Sequence, residues 1–273
     1  MKAQVAYQIY SARDEAAADL QGVLMQIHEI GYDGVEFAGF YGHDALEVKA
    51  WLQEIGLTAI SSHVPFPLLE NDLFATVAYH QVIGCSYMAV PYLDETQRPG
   101  GPGFAAALRT LYHVGKVCRK AGIQLLYHNH DFEFETLSGQ HGLDFLYDAT
   151  PPQLLQAEID TCWVHYSSLN PADYIRQYTG RVPIVHLKDY VGARGKERPY
   201  ALIQAGGGTD QAGENVQFCF KPVGYGCLDV QSVVDAGLEA GASWFVVEQD
   251  LSPERPPLEA AKMSLEYLRS IGL

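Results

Sequence analysis

Five times along the chain an amphipathic segment ends in a glycine and gives way at once to a short apolar run. The junctions are Ile30-Gly31, Ile55-Gly56, Ile83-Gly84, Ala121-Gly122 and Ala240-Gly241. Glycine suits that place because the left-handed turn after a helix excludes a Cβ. Filling the intervals predicts strands near 3–9, 33–37, 57–63, 86–91, 123–129, 154–160, 182–187 and 243–249, each followed by a helical segment. Ser11-Ala12-Arg13-Asp14 reads as a capping box opening the first helix, with Leu20, Leu24 and Ile27 on one face. Asn170-Pro171 and Ser252-Pro253 read as cap-plus-proline starts for the helices after strands six and eight.

Eight strand–helix units predict an α/β fold, a (β/α)8 TIM barrel in a single domain over residues 1–273. Parallel strands need crossover helices, and eight of them close the sheet. A doubly wound open sheet is the alternative, but no GxGxxG follows the first strand. The stretch from about 190 to 226 is too long for a plain connection. It predicts a loop insertion after strand seven, either a lid or a disordered segment, and includes the glycine run Ala205–Thr209.

Composition excludes several classes of function. With 48% hydrophobic and 19% charged residues over 273 positions, the chain can bury a large core. Its 33 acids against 18 Lys and Arg give a net charge of −15, which repels a phosphate backbone and argues against nucleic acid as a partner. The 5 cysteines are odd in number and form no CxxC pair, as expected of reduced thiols. The N-terminus has no signal-peptide pattern and no window is apolar enough for a membrane span, so a cytoplasmic protein without a membrane partner is predicted.

The chemistry gathers where the predicted strands end. Glu158-Ile159-Asp160 closes strand six with two acids on one face, a pair that a doubly buried strand cannot leave without a counter-charge. Other strands end at Glu36, at Ser62-His63, at Tyr127-His128-Asn129-His130, at His186-Leu187-Lys188 and at Glu248-Gln249-Asp250. In a barrel all of these reach one rim. Glu158, Asp160, His186 and Glu248 converging there predict a mixed carboxylate and imidazole site for one divalent metal ion, Mn, Mg, Co, Zn or Fe.

Ser61-Ser62-His63, Ile159-Asp160-Thr161-Cys162-Trp163, Val185-His186-Leu187-Lys188-Asp189, the Gly224–Asp229 turn and Val247-Glu248 follow one another as in the sugar phosphate isomerase/epimerase superfamily, which this chain resembles throughout. That group of xylose-isomerase-like barrels includes ketose 3-epimerases, inosose dehydratases and, more distantly, endonuclease IV. The resemblance implies metal ligation by Asp160, His186 and Glu248, with a fourth ligand usually a Glu ending strand five. Here His128 stands at that place. Either His128 is the ligand, or Glu158 reaches up from a deeper layer; the set with Glu158 is the one we expect. Endonuclease IV chemistry is disfavoured, because Trp163 replaces its strand-six His and strand four ends in Val90-Pro91-Tyr92 without a His.

The resemblance further implies a divalent-metal-dependent isomerase or epimerase acting on a sugar or keto-sugar, in which a base removes the proton next to a metal-polarised carbonyl. Expelling a β-hydroxyl after the same first step makes the chain a dehydratase of a keto-sugar or inosose; a non-catalytic sugar-binding barrel is the alternative of another class. Glu248, His128 and His130 are the candidate bases and Lys188 the oxyanion donor. Glu36, His63, Glu133, Trp163 and Arg194 are expected to bind substrate, with Phe66 and Tyr41 as further stacking surfaces. Arg194 and Lys196 alone suggest themselves for a phosphate, so a non-phosphorylated sugar or cyclitol is predicted. Homo-oligomers are common in the superfamily, although no interface stripe is legible in this chain.

Overall fold

A computed structural model describes residues 3–192 and 218–273. Eight parallel strands form the barrel: β1 (Gln4–Gln8), β2 (Gly34–Phe37), β3 (Thr58–Ser62), β4 (Tyr87–Val90), β5 (Gln124–His128), β6 (Gln156–Asp160), β7 (Ile184–Leu187) and β8 (Trp244–Val247). Each lies within a predicted run. Neighbours pair in the order β3-β2-β1-β8-β7-β6-β5-β4, and a bridge between His63 and Ala89 joins the two ends of that order. Helices cover the outside, with left-handed glycines closing four of them at Gly31, Gly56, Gly84 and Gly241. None of the described helices is long and apolar enough to cross a membrane.

Alternation along the strands divides the core in two. Outward side chains such as Val5, Tyr7, Val35, Leu125, Ile159, Val185 and Phe245 pack against the helices. Ala6, Ile60, Ala89, Leu126, Ile184 and Val246 form a separate apolar plug inside the barrel. Two residues on from Ala6, Leu126, Ile184 and Val246 come Gln8, His128, His186 and Glu248, so the period of two sets a polar layer directly on the apolar one.

Several local expectations are corrected. Ser11 does not cap a helix: Ile9–Ala12 is a 3-10 turn, and Ser11 Oγ accepts a hydrogen bond from the backbone N of Gln249 at 2.9 Å. Asp19 breaks the expected first helix into Arg13–Ala18 and Leu20–Ile30, capping the second through Gly22 N. The final helix begins at Pro257, not at Pro253. After β6 two helices follow, Thr161–Tyr166 and Pro171–Gln177, the second capped by Asn170 as predicted. At the margins of the predicted insertion, Asp189–Val191 pairs antiparallel with Cys219–Lys221. Arg194, Lys196 and the glycine run lie outside the described residues.

Candidate active site

The polar layer is a dense cluster of buried charge. Glu36, Glu158, Asp160, Glu248 and Asp250 are all buried, and Lys188 is buried among them. Asp160 does two things. As the last residue of β6 its Oδ1 accepts the backbone N–H of Trp163 at 3.2 Å, capping the helix that follows, while Oδ2 faces Lys188 Nζ at 3.1 Å and His128 Nε2 at 3.4 Å. Asn129 holds the Asp160 backbone from β5 by a reciprocal pair of hydrogen bonds.

Register decides which groups meet. Asp160 pairs with His186, whereas Glu158 pairs with His128 on one side and with Ile184 of the apolar plug on the other. Glu158 therefore sits one layer down. One ligand atom from each of His128, Asp160, His186 and Glu248 falls within 4.8 Å of the others; a second such group is Glu36, His63, Glu158 and His186. The expected quartet containing Glu158 is not brought together, and His128 takes its place.

Lys188 Nζ reaches Glu248 at 2.9 Å, Asp250 at 3.0 Å and Asp160 at 3.1 Å. Its three N–H donors match three carboxylates, so the residue expected as an oxyanion donor stands here as their counter-ion. Burial opposes its charge, but Asp160, Asp250 and Glu248 hold it protonated well above the ordinary range. Burial likewise opposes the charge of Glu248, and Lys188 and His186 outweigh it, keeping the carboxylate ionised. Burial, with the neighbouring His186 and His63, holds His128 well below its usual range and so neutral. Both His128 nitrogens are buried without a hydrogen bond, as are Glu36 Oε1 and Glu158 Oε1. Among the described residues, five buried carboxylates against one lysine, with the neutral imidazole of His128 aimed among them, offer a donor set suited to a divalent cation.

Above the cluster opens a cavity of about 410 Å³, lined by His63, His128, His130, Glu248 and Asp250 together with Tyr10 and Tyr92. His63 was expected at the substrate; three others were not borne into the cavity. Glu36 is fully buried beneath it, accepting from Gln8 Nε2 at 2.9 Å. Trp163 is fully buried beside Phe218, Phe220 and His130. Glu133 is turned inward to Tyr127 Oη and the backbone N of His130, each at 2.7 Å. Among the described residues, Phe66 and Tyr41 do not line the cavity, and no Lys or Arg is among those that do. Asp250, Tyr10 and Tyr92 were missed. Asp250 had a signal: it lies two residues beyond Glu248, hence on the same face.

The Gly224–Asp229 turn serves the site indirectly by wrapping Asp189, which follows Lys188. Asp189 accepts the backbone N–H groups of Tyr190, Gly224, Gly226 and Leu228. A Cβ on Gly226 would lie 2.1 Å from Asp189 Oδ1, so the turn closes only on glycine.

Glu133 provides a test by pH. Burial pushes its carboxyl up to about 8, against the two hydrogen bonds it accepts. A carboxyl raised in the folded state contributes stability that is complete below its unfolded pKa of about 4.3 and is lost as pH rises through the folded value. Urea unfolding at acid and alkaline pH is expected to show wild type losing a few kcal/mol, on the order of 1.4 per pKa unit, and Glu133→Gln losing much less. An equal pH dependence in the two proteins would place the titration elsewhere.

Residues 24–271 match the model of the xylose isomerase-like TIM barrel family. The chain is 24% identical over 270 residues to an inosose dehydratase of Geobacillus kaustophilus, covering 90% of this chain and 85% of that one. It is 27% identical over 276 residues to an inosose dehydratase of Bacillus licheniformis, covering 93% and 88%. A sugar phosphate isomerase/epimerase from Parabacteroides distasonis ATCC 8503 superposes with a TM-score of 0.78 at 19% identity, over 99% of this chain and 95% of that one, a likeness of fold. With the eight-stranded barrel and nearly its whole length matched, the chain belongs to the xylose isomerase-like TIM barrel family.

Proposed function

We propose that this protein is a divalent-metal-dependent lyase that removes water from a small, non-phosphorylated keto-cyclitol or keto-sugar. The observation that carries the reading is the asymmetry of the cavity. Its carboxylates, Glu248 and Asp250, both come from the end of β8, while the imidazoles of His63, His128 and His130 come from the ends of β3 and β5. Epimerisation by the scheme of ketose 3-epimerases wants a carboxylate base on each face of the sugar, and β5 offers none. The relatives named inosose dehydratase agree with this reading.

His128, Asp160, His186 and Glu248 would hold the ion. When bound, it supplies Lewis acidity, drawing electron density from a carbonyl and so acidifying the neighbouring C–H bond. His130 takes the α-proton as that bond breaks, and Asp250, whose carboxyl burial pushes up to about 7 against the pull of Lys188, protonates the β-hydroxyl as its C–O bond breaks, so that one water leaves and a C=C bond forms. A proton passing from His130 to Asp250 through solvent restores the starting state. The tyrosines Tyr10 and Tyr92 offer apolar faces and hydroxyls to a polyol.

The test is product mass. Protein loaded with Mn²⁺ or Co²⁺ is incubated with an inosose and with a panel of ketoses, and the products are weighed by mass spectrometry. A product lighter by one water supports the lyase. A product of unchanged mass moves the protein to the isomerases and epimerases; binding without turnover moves it to the sugar-binding barrels.

A further inference from the structure

The second cluster, beneath the cavity floor, has the makings of a site of its own. His63 Nε2 lies 2.8 Å from Glu158 Oε2 and 3.5 Å from Glu36 Oε2, and His186 Nε2 lies 2.6 Å from Glu36 Oε2 and 3.6 Å from Glu158 Oε2. Four N and O donors placed tetrahedrally about an ion at bond lengths of about 2.0–2.1 Å are separated by roughly 3.3–3.4 Å. The observed separations bracket that value, and they come from four different strands or strand ends.

Two further observations point to a ligand. Glu36 and Glu158 each keep one oxygen, Oε1, buried and without a hydrogen-bond partner, which a bidentate carboxylate would use. The acids of the cluster also outnumber its cations: among the described residues, Glu36, Glu158, Asp160, Glu248 and Asp250 are buried around one lysine. His63 is partly exposed and lines the cavity, so the cluster has an entry path. Gln8 Nε2, donating to Glu36 Oε2, fixes that carboxylate from behind.

We propose that Glu36, His63 and Glu158, with Nε2 of His186, form a second divalent-cation site one layer below the cavity. His186 stands between the two sets, Nδ1 at 3.0 Å from Glu248 and Nε2 at 2.6 Å from Glu36. Filling both sites would make its ring a bridge, and both of its ring protons, which Glu248 and Glu36 accept in the empty cluster, would be released to solvent together with the Nε2 proton of His63. The deep site depends on no assumption about the reaction. It shares only His186 with the ligand set proposed above, and its test separates the two.

Wild type, Glu36→Gln, Glu158→Gln and Asp160→Asn are incubated with Mn²⁺, desalted and analysed for metal by mass spectrometry, with circular dichroism melts confirming that each folds. The expected content is about two ions per chain in wild type and about one in each variant. One ion that survives both glutamate substitutions and is lost in Asp160→Asn overturns the deep site. One ion lost in Glu158→Gln and kept in Asp160→Asn supports the deep site and overturns the upper ligand set. No ion in wild type overturns both. Electron paramagnetic resonance of Mn²⁺-loaded wild type needs no variant: an exchange-coupled pair supports the proposal, and the hyperfine pattern of an isolated ion alone contradicts it.

Discussion

Asp160→Asn is expected to weaken cation binding by roughly a hundredfold or more, and kcat by about 10²–10³, while leaving the fold in place. The amide keeps a carbonyl oxygen that can accept the Trp163 backbone N–H, so the cap on Thr161–Tyr166 survives. The clamp from Asn129 involves only the Asp160 backbone and is untouched. What the substitution removes is the negative oxygen that faces His128 and Lys188. Competition against a calibrated chelator reads the affinity, steady-state kinetics read kcat, and a thermal melt in chelator reads the fold. A normal affinity accompanied by an unchanged kcat would return Asp160 to capping alone and take it out of the ligand set.

The same residue shows how far a sequence carries. Two acids spaced by one residue at the end of a buried run can only share a face, and so Glu158 and Asp160 were legible as a pair. Eight runs with glycine-terminated helices between them gave the barrel, and the barrel gave the rim. Depth was not legible. Whether Glu158 or His128 stands level with Asp160 depends on register between parallel strands, where Glu158 meets Ile184 and Asp160 meets His186. No local pattern encodes that offset.

Side chains just past a strand were harder still. Trp163 and Glu133 leave the period of two for a helix and a 3-10 turn, and both rotate into the core instead of facing the cavity. Ser11 has the spacing of a cap, but its oxygen is taken by the backbone of Gln249, 238 residues away, a tertiary partner that outbids the local one. Asp250 obeys the strand period and could have been assigned to the site.

Lys188→Met is expected to act with opposite signs on stability and on cation affinity. In chelator the variant leaves Asp160, Glu248 and Asp250 buried around a missing ammonium, and breaking such a cluster costs about 3–5 kcal/mol. Adding Asp250→Asn to it removes one of the unpaired charges and recovers part of that loss. A divalent cation recovers more, because it binds the folded protein and stabilises it by mass action. Affinity for that cation should rise, since Nζ within 3.1 Å of two ligand carboxylates otherwise repels the incoming ion. Even at a surface-like effective dielectric, removing one positive charge at this range is worth on the order of 1–2 kcal/mol, a tenfold or greater tightening. Urea unfolding with and without Mn²⁺ measures the first effect and chelator competition the second. A loss below about 1 kcal/mol would mean that the acids share protons among themselves and owe little to the lysine. If both effects appear with the expected signs, Lys188 and the ion draw on the same carboxylates: the lysine holds the site together while it is empty and keeps the affinity for the ion from becoming extreme.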